Sequence, residues 1–312
     1  MKKIWGYLKH HLHEDFNAGQ YLTIGIFLTI SISLNYIFDF EDDYLELMTG
    51  YPKFFAYFFF YGIPYFFSTY VYALFRKRKD IFRLPTFWIK SIFAITLLTL
   101  DSSAPYLEDL INKIFDPRLQ FWAYKVVINS VSFFTVFIPI LVFYTLFDKH
   151  EKHIYGLSAH KFDTKPYFTM LLIMLPLIIG ASFNERFLTQ YPMYKTSGAH
   201  VYLGVPEWIT VAIYETAYGL DFITVEYLFR GFLVIGMISV LGRGAVLSMA
   251  VVYCFLHFGK PAGEAISSIA GGYILGVVAY ETRSIWGGII VHMGIAWMME
   301  LVAFTQKFFD AS

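Results

Sequence analysis

Seven ionisable residues lie inside apolar stretches of the last third of the chain: Glu215, Asp221, Glu226, Arg230, His257, His292 and Glu300. Carboxylates and imidazoles are the side chains that take a proton from water and pass it to a leaving group, and a guanidinium neutralises a carboxylate or a developing oxyanion. Glu226 and Arg230 stand one helical turn apart and share a face, so an ion pair there lets a carboxylate be buried in charged form. His257 closes an aromatic run just before Gly259 and Pro261. His292 sits well inside another apolar run, where its short side chain cannot snorkel to the interface. Two histidines and one carboxylate are the minimum set for activating a water, through hydrogen bonds or through a metal. A zinc ion would need His257, His292 and Glu226 together, since catalytic zinc takes three protein ligands plus water; a divalent metal is therefore an option and not a requirement. Each group also has a plainer use. Glu226 and Arg230 can be a structural pair, His257 a helix cap, and buried acids and histidines also build proton relays in transporters.

The elements that must carry these residues are membrane helices. Of 312 residues, 57% are hydrophobic and 15% charged, against about 25% charged in an ordinary soluble domain. Apolar runs occur near 20–38, 54–75, 85–100, 122–147, 167–183, 207–240, 244–258, 266–281 and 285–305, most of them close to the roughly 20 residues a spanning helix needs. The fold class is thus all-α, a polytopic integral membrane protein with about eight to nine transmembrane helices. The run 207–240 is too long for one simple crossing and reads as a long tilted helix or a broken pair. Residues 1–200 read as scaffold helices and 201–312 as the core that holds the chemistry, within one membrane domain. Ser268, Gly272 and Gly276 recur every fourth residue, a ladder that lets two membrane helices approach closely. Basic clusters at Lys2-Lys3, Arg76 to Lys79, Lys149 to Lys165, Arg243 and Arg283 alternate with acidic or neutral loops, which puts the N-terminus in the cytoplasm. Lys+Arg and Asp+Glu both number 24, so nucleic acid is not an expected partner; the lipid bilayer is. The single cysteine, Cys254, leaves no internal disulfide and fits helix packing.

Three segments together resemble the CPBP family, the CAAX prenyl protease and bacteriocin-processing intramembrane proteases. Its pattern is Glu-Glu-x-x-x-Arg, then Phe-x-x-x-His, then His-x-x-x-Asn or Asp. This chain reads Val225-Glu226-Tyr-Leu-Phe-Arg230, Tyr253-Cys-Phe-Leu-His257 and His292-Met-Gly-Ile-Ala296. The resemblance implies an intramembrane endopeptidase, bacterial in style and set in the cytoplasmic membrane, that hydrolyses a membrane-associated protein or peptide. By it Glu226 polarises a water with help from His257, His292 orients that water or steadies the oxyanion, and Arg230 fixes the glutamate. Two positions depart from the pattern. Val225 stands where the family has the glutamate regarded as base, and Ala296 where it has the polar partner thought to help hold the oxyanion. Glu226 is the first replacement for the missing acid, with Asp221 one turn before Val225 and Glu300 one turn beyond Ala296 as backups. A non-catalytic scaffold or receptor and a proton-coupled transporter stay open as rival readings.

Overall fold

A computed structural model describes residues 1–151, 153–158 and 163–310, of which Lys152 and Lys161 of the expected basic loop are not part. The chain is 83% helical, with no strand among the described residues. An amphipathic helix α1 (Lys2–Asp15) precedes α2 (Ala18–Phe38) and α3 (Gly50–Phe75). Next come α4 (Pro85–Ser103), a short α5 (Leu107–Ile114) and α6 (Pro117–Ser132), which runs through a π turn (Phe133–Phe137) into α7 (Ile138–Phe147). After α8 (Lys165–Ala181), α9 (Glu185–Gln190) and α10 (Ala199–Leu203), the last third holds α11 (Glu207–Glu226), a π turn (Tyr227–Phe232) and α12 (Ile238–Leu241). It ends with α13 (Gly244–Phe255), α14 (Ala262–Thr282) and α15 (Trp286–Asp310). Proline opens α4 and α6, where its missing N–H costs nothing, and the Asn17 side chain caps α2 by accepting from the Gln20 N–H at 3.0 Å.

Six of these elements are long and apolar enough to cross a membrane, or seven if the bent pair α4 and α5 counts as one, among the described residues. The expected runs at α8 and α13 also fold as apolar helices, but they are shorter than a straight crossing requires. The long run near 207–240 is a single candidate span, Glu207–Leu241. It widens into the π turn after Glu226 and tightens into a 3-10 turn at Ile235–Met237 before α12.

Loop contacts sort the connections into two ends of the bundle. At one end Arg243 donates to His11 at 3.2 Å and pairs with Glu281 at 2.5 Å, Arg76 holds the carbonyl of Asp15, and the Ile285 N–H donates to the Gly156 carbonyl at 3.2 Å. At the other end Asn35 donates to the Phe258 carbonyl at 3.1 Å, Tyr36 to that of Lys260 at 2.7 Å, and the Met193 N–H to Glu300 at 2.8 Å. Lys2, Arg76 to Lys79, Lys149, Arg243 and Arg283 belong to the first end, and Glu41, Asp42 and Asp43 to the second.

Helix α13 is the centre of the molecule. All twelve of its residues are buried, and α3 and α14 flank it. The small-residue ladder makes that fit. A Cβ on Gly272 would stand 2.9 Å from the Tyr253 ring, and one on Gly276 would stand 2.7 Å from Met249. One hydrophobic cluster runs from Ile24 to Ile289, so helices of the first 200 residues and of the last third share a core.

Candidate functional site

Glu226 ends the regular part of α11, and its side chain is fully buried. Its Oε1 accepts from Arg230 Nη1 at 2.8 Å and is 3.1 Å from His292 Nδ1. Both rings of the expected histidine pair flank the ring of Tyr253, with centroids 4.6 Å away for His257 and 5.9 Å for His292. Hydrogen bonding assigns the tautomers. His292 donates from Nδ1 to the carboxylate, which leaves Nε2 as an acceptor for the Tyr253 hydroxyl at 3.1 Å. His257 donates from Nδ1 to the Tyr253 carbonyl at 2.8 Å, so its Nε2 keeps a lone pair with no donor among the described residues. The Arg230 guanidinium lies over the Tyr253 ring at 4.3 Å. It grips Glu226 through one nitrogen, not through both prongs of a fork.

Among the described residues, three polar atoms of this group are buried without a hydrogen-bond partner: Oε2 of Glu226 and Nε and Nη2 of Arg230. An acceptor and two donors stranded on one ion pair are costly unless water or a substrate satisfies them. The carboxylate keeps its place because Gly288 has no side chain. A Cβ there would stand 1.9 Å from Oε2.

Residues 207–298 match the family model described as Rce1-like, type II CAAX prenyl endopeptidase Rce1-like. Over this segment the chain is similar to the CPBP-type intramembrane proteases. No curated protein and no solved structure matches the chain. The matched segment contains Glu226, Arg230, His257 and His292 and ends before Glu300.

Around this site the two backup acids face elsewhere. Asp221 is held by the hydroxyl of Ser132 on α6, away from the Glu226 pair. Glu300 receives the Met193 N–H on both oxygens, at 2.8 and 3.0 Å, and anchors the loop between α9 and α10. Ala296 is buried and offers no polar atom, and Val225 packs on the hydrophobic core. The metal option does not fit the side chains as they stand. Among the described residues no three His, Cys, Asp or Glu groups come together as a ligand set, and both nitrogens of His292 are already engaged. Two cavities, of about 570 Å³ and 420 Å³, lie outside the site: one between α6 and α11, the other between the end of α2 and Phe258.

Sequence reasoning passed over three contributors. In the sequence Tyr253 is the first letter of a motif, Gly288 one of two adjacent glycines, and Asn35 a polar residue near the end of an apolar run. The last was a usable signal, because a buried amide in a membrane helix needs a partner. Asn35 donates to the Phe258 carbonyl and accepts the Glu41 N–H at 3.1 Å, and Tyr36 reaches the Lys260 carbonyl, so the end of α2 clamps the loop that follows His257.

Proposed function

We propose that the protein is an intramembrane endopeptidase that hydrolyses peptide bonds of a membrane-associated protein or peptide. The observation that supports this reading best is the stranded set on the Glu226–Arg230 pair. One free carboxylate oxygen beside two free guanidinium donors is where a water can give up a proton and a carbonyl can be polarised. Glu226 Oε2 accepts the water proton, His257 Nε2 helps orient that water, and His292 and Arg230 hold the carboxylate through Oε1. No step passes through a metal. The basic end with the N-terminus lies in the cytoplasm, and the membrane is a bacterial cytoplasmic membrane.

The description of the matching family makes a farnesylated, internally quenched peptide with a C-terminal CAAX sequence the first probe. In proteoliposomes the wild type cleaves it, and Glu226→Gln lowers kcat by about 100- to 10,000-fold, the usual contribution of a general base. Equal cleavage by wild type and Glu226→Gln would remove Glu226 from the chemistry. The buried Ala296 and the half-buried Val225, neither with a polar side-chain atom, favour one rival, a binding scaffold without hydrolysis. Probe binding with no product from the wild type would decide for it.

A further inference from the structure

We infer that the hydroxyl of Tyr253 is a catalytic residue of this site, the hydrogen-bond donor that holds the oxyanion in place of the side chain missing at Ala296. The inference rests on the hydrolase reading above. Three observations carry it. First, the pattern that the chain resembles has phenylalanine at this position, and the chain has a tyrosine, so the site gains one hydroxyl where it has lost one polar group at Ala296. Packing alone does not account for that hydroxyl. The ring contacts to Phe229 at 5.1 Å, to His257 at 4.6 Å and to Gly272 need only an aromatic ring.

Second, the hydroxyl is placed among the reacting groups. It reaches His292 Nε2 at 3.1 Å, and that imidazole in turn bonds Glu226, so carboxylate, imidazole and phenol form one chain. Third, the ring lies under the Arg230 guanidinium at 4.3 Å, and a cation beside a phenol makes its O–H a stronger donor to a developing negative charge. Ala296 is one turn beyond His292 on α15, so the Tyr253 hydroxyl approaches from α13 the same imidazole that the absent side chain would have neighboured on α15.

The step balances without any co-reactant. The water oxygen adds to the carbonyl carbon, its proton passes to Glu226 Oε2, and the carbonyl π electrons become an oxyanion that accepts the Tyr253 O–H in place of His292 Nε2. On collapse the C–N bond breaks, the proton on Glu226 moves to the leaving nitrogen, and the C=O bond re-forms.

The test uses the full-length protein in proteoliposomes with the farnesylated CAAX peptide. Tyr253→Phe is expected to lower kcat by about 100- to 1,000-fold, the range for loss of one oxyanion donor, with KM changed less than about threefold. Ala296→Asn added to Tyr253→Phe is expected to recover at least tenfold of that loss. A fluorinated tyrosine incorporated at 253, which keeps the ring shape and makes the phenol more acidic, is expected to move the alkaline limb of kcat to lower pH. It also decides the matter if Tyr253→Phe does not fold. Tyr253→Phe cleaving within twofold of wild type, or an unmoved alkaline limb in the fluorinated protein, overturns the inference and leaves the oxyanion to the free nitrogens of Arg230. A wild type that cleaves nothing sinks the hydrolase reading itself. That result differs from an active wild type with an equally active Tyr253→Phe, which sinks this inference alone.

Discussion

At the scale of single residues, Arg230 does two jobs with one planar group: it donates to Glu226 at 2.8 Å and covers the Tyr253 ring at 4.3 Å. Lysine keeps the charge but has no plane to lay on the ring, so Arg230→Lys is expected to retain about a tenth of the activity or less. Arg230→Met leaves a buried carboxylate with no cation beside it, and cleavage should fall below detection across pH 6 to 8. Unchanged product on a gel from either variant would mean that the arginine does not support Glu226. Gly288 gives a second residue-scale expectation. Gly288→Ala must push the carboxylate out of its place, because the added Cβ would lie 1.9 Å from Oε2. Activity should be lost, with a destabilisation of about 1–3 kcal/mol from overpacking. Gly271→Ala, on α14, meets nothing within 4 Å and should match wild type in both activity and Tm.

Among the elements, the end of α2 and the turn after it decide how firmly the loop after His257 is held. Glu41 lies in that turn, outside the spanning segments, against Gly259, and shares the single Tyr57 O–H with Glu46, at 2.7 Å from Glu41 and 2.5 Å from Glu46. Burial pushes the Glu41 carboxyl up to about 7, opposed by the Tyr57 hydrogen bond and reinforced by the nearby charges of Glu46 and Asp42. A carboxyl whose folded value is raised favours the folded state in its protonated form. Its contribution is full below the ordinary value near 4.5 and is lost as pH rises through about 7. The Tm of the wild type in detergent should therefore decline between about pH 5 and 8, and Glu41→Gln should flatten that decline. Parallel curves for the two proteins would show that Glu41 does not titrate in the clamp. The π turn is the other element with a consequence. It begins directly after Glu226 and carries Arg230, and such widened turns recur at functional sites because they re-aim side chains without ending the helix.

For the whole molecule, the contacts between loops put Arg76 to Lys79, Lys149 and Arg283 at one end of the bundle and Asp43 at the other. Cysteines placed at 77 and 149 should react with a membrane-impermeant maleimide from the same side, and one at 43 from the opposite side; Cys254 is buried and gives little background. Labelling of positions 77 and 149 from opposite sides would break the arrangement of passes. Helix α13, flanked by α3 and α14, is too short to span straight, and all twelve of its residues are buried. A polar group on that helix is therefore shielded from lipid by its neighbours, and that shielding lets Tyr253 sit inside the bundle.

The sequence by itself determined the membrane class, the helical character, the sites of the apolar runs and the residues of the Glu226–Arg230 pair. These follow from local quantities: the apolar content of a run, the charge of a loop, and a four-residue spacing that puts two side chains on one helix face. Glu226 and His292 are 66 residues apart, and nothing in either segment alone says that their side chains bond. Packing decided that, as it decided that Asp221 turns to Ser132 and Glu300 to the Met193 N–H, although both lie one turn from a motif position. Helical spacing fixes a face but not the neighbour that the face meets. The small-residue ladder on α14 draws α13 close and sets Tyr253 between the histidines, and Gly288 on α15 leaves the room that Glu226 fills. Those are matters of shape between helices, which only the tertiary structure holds.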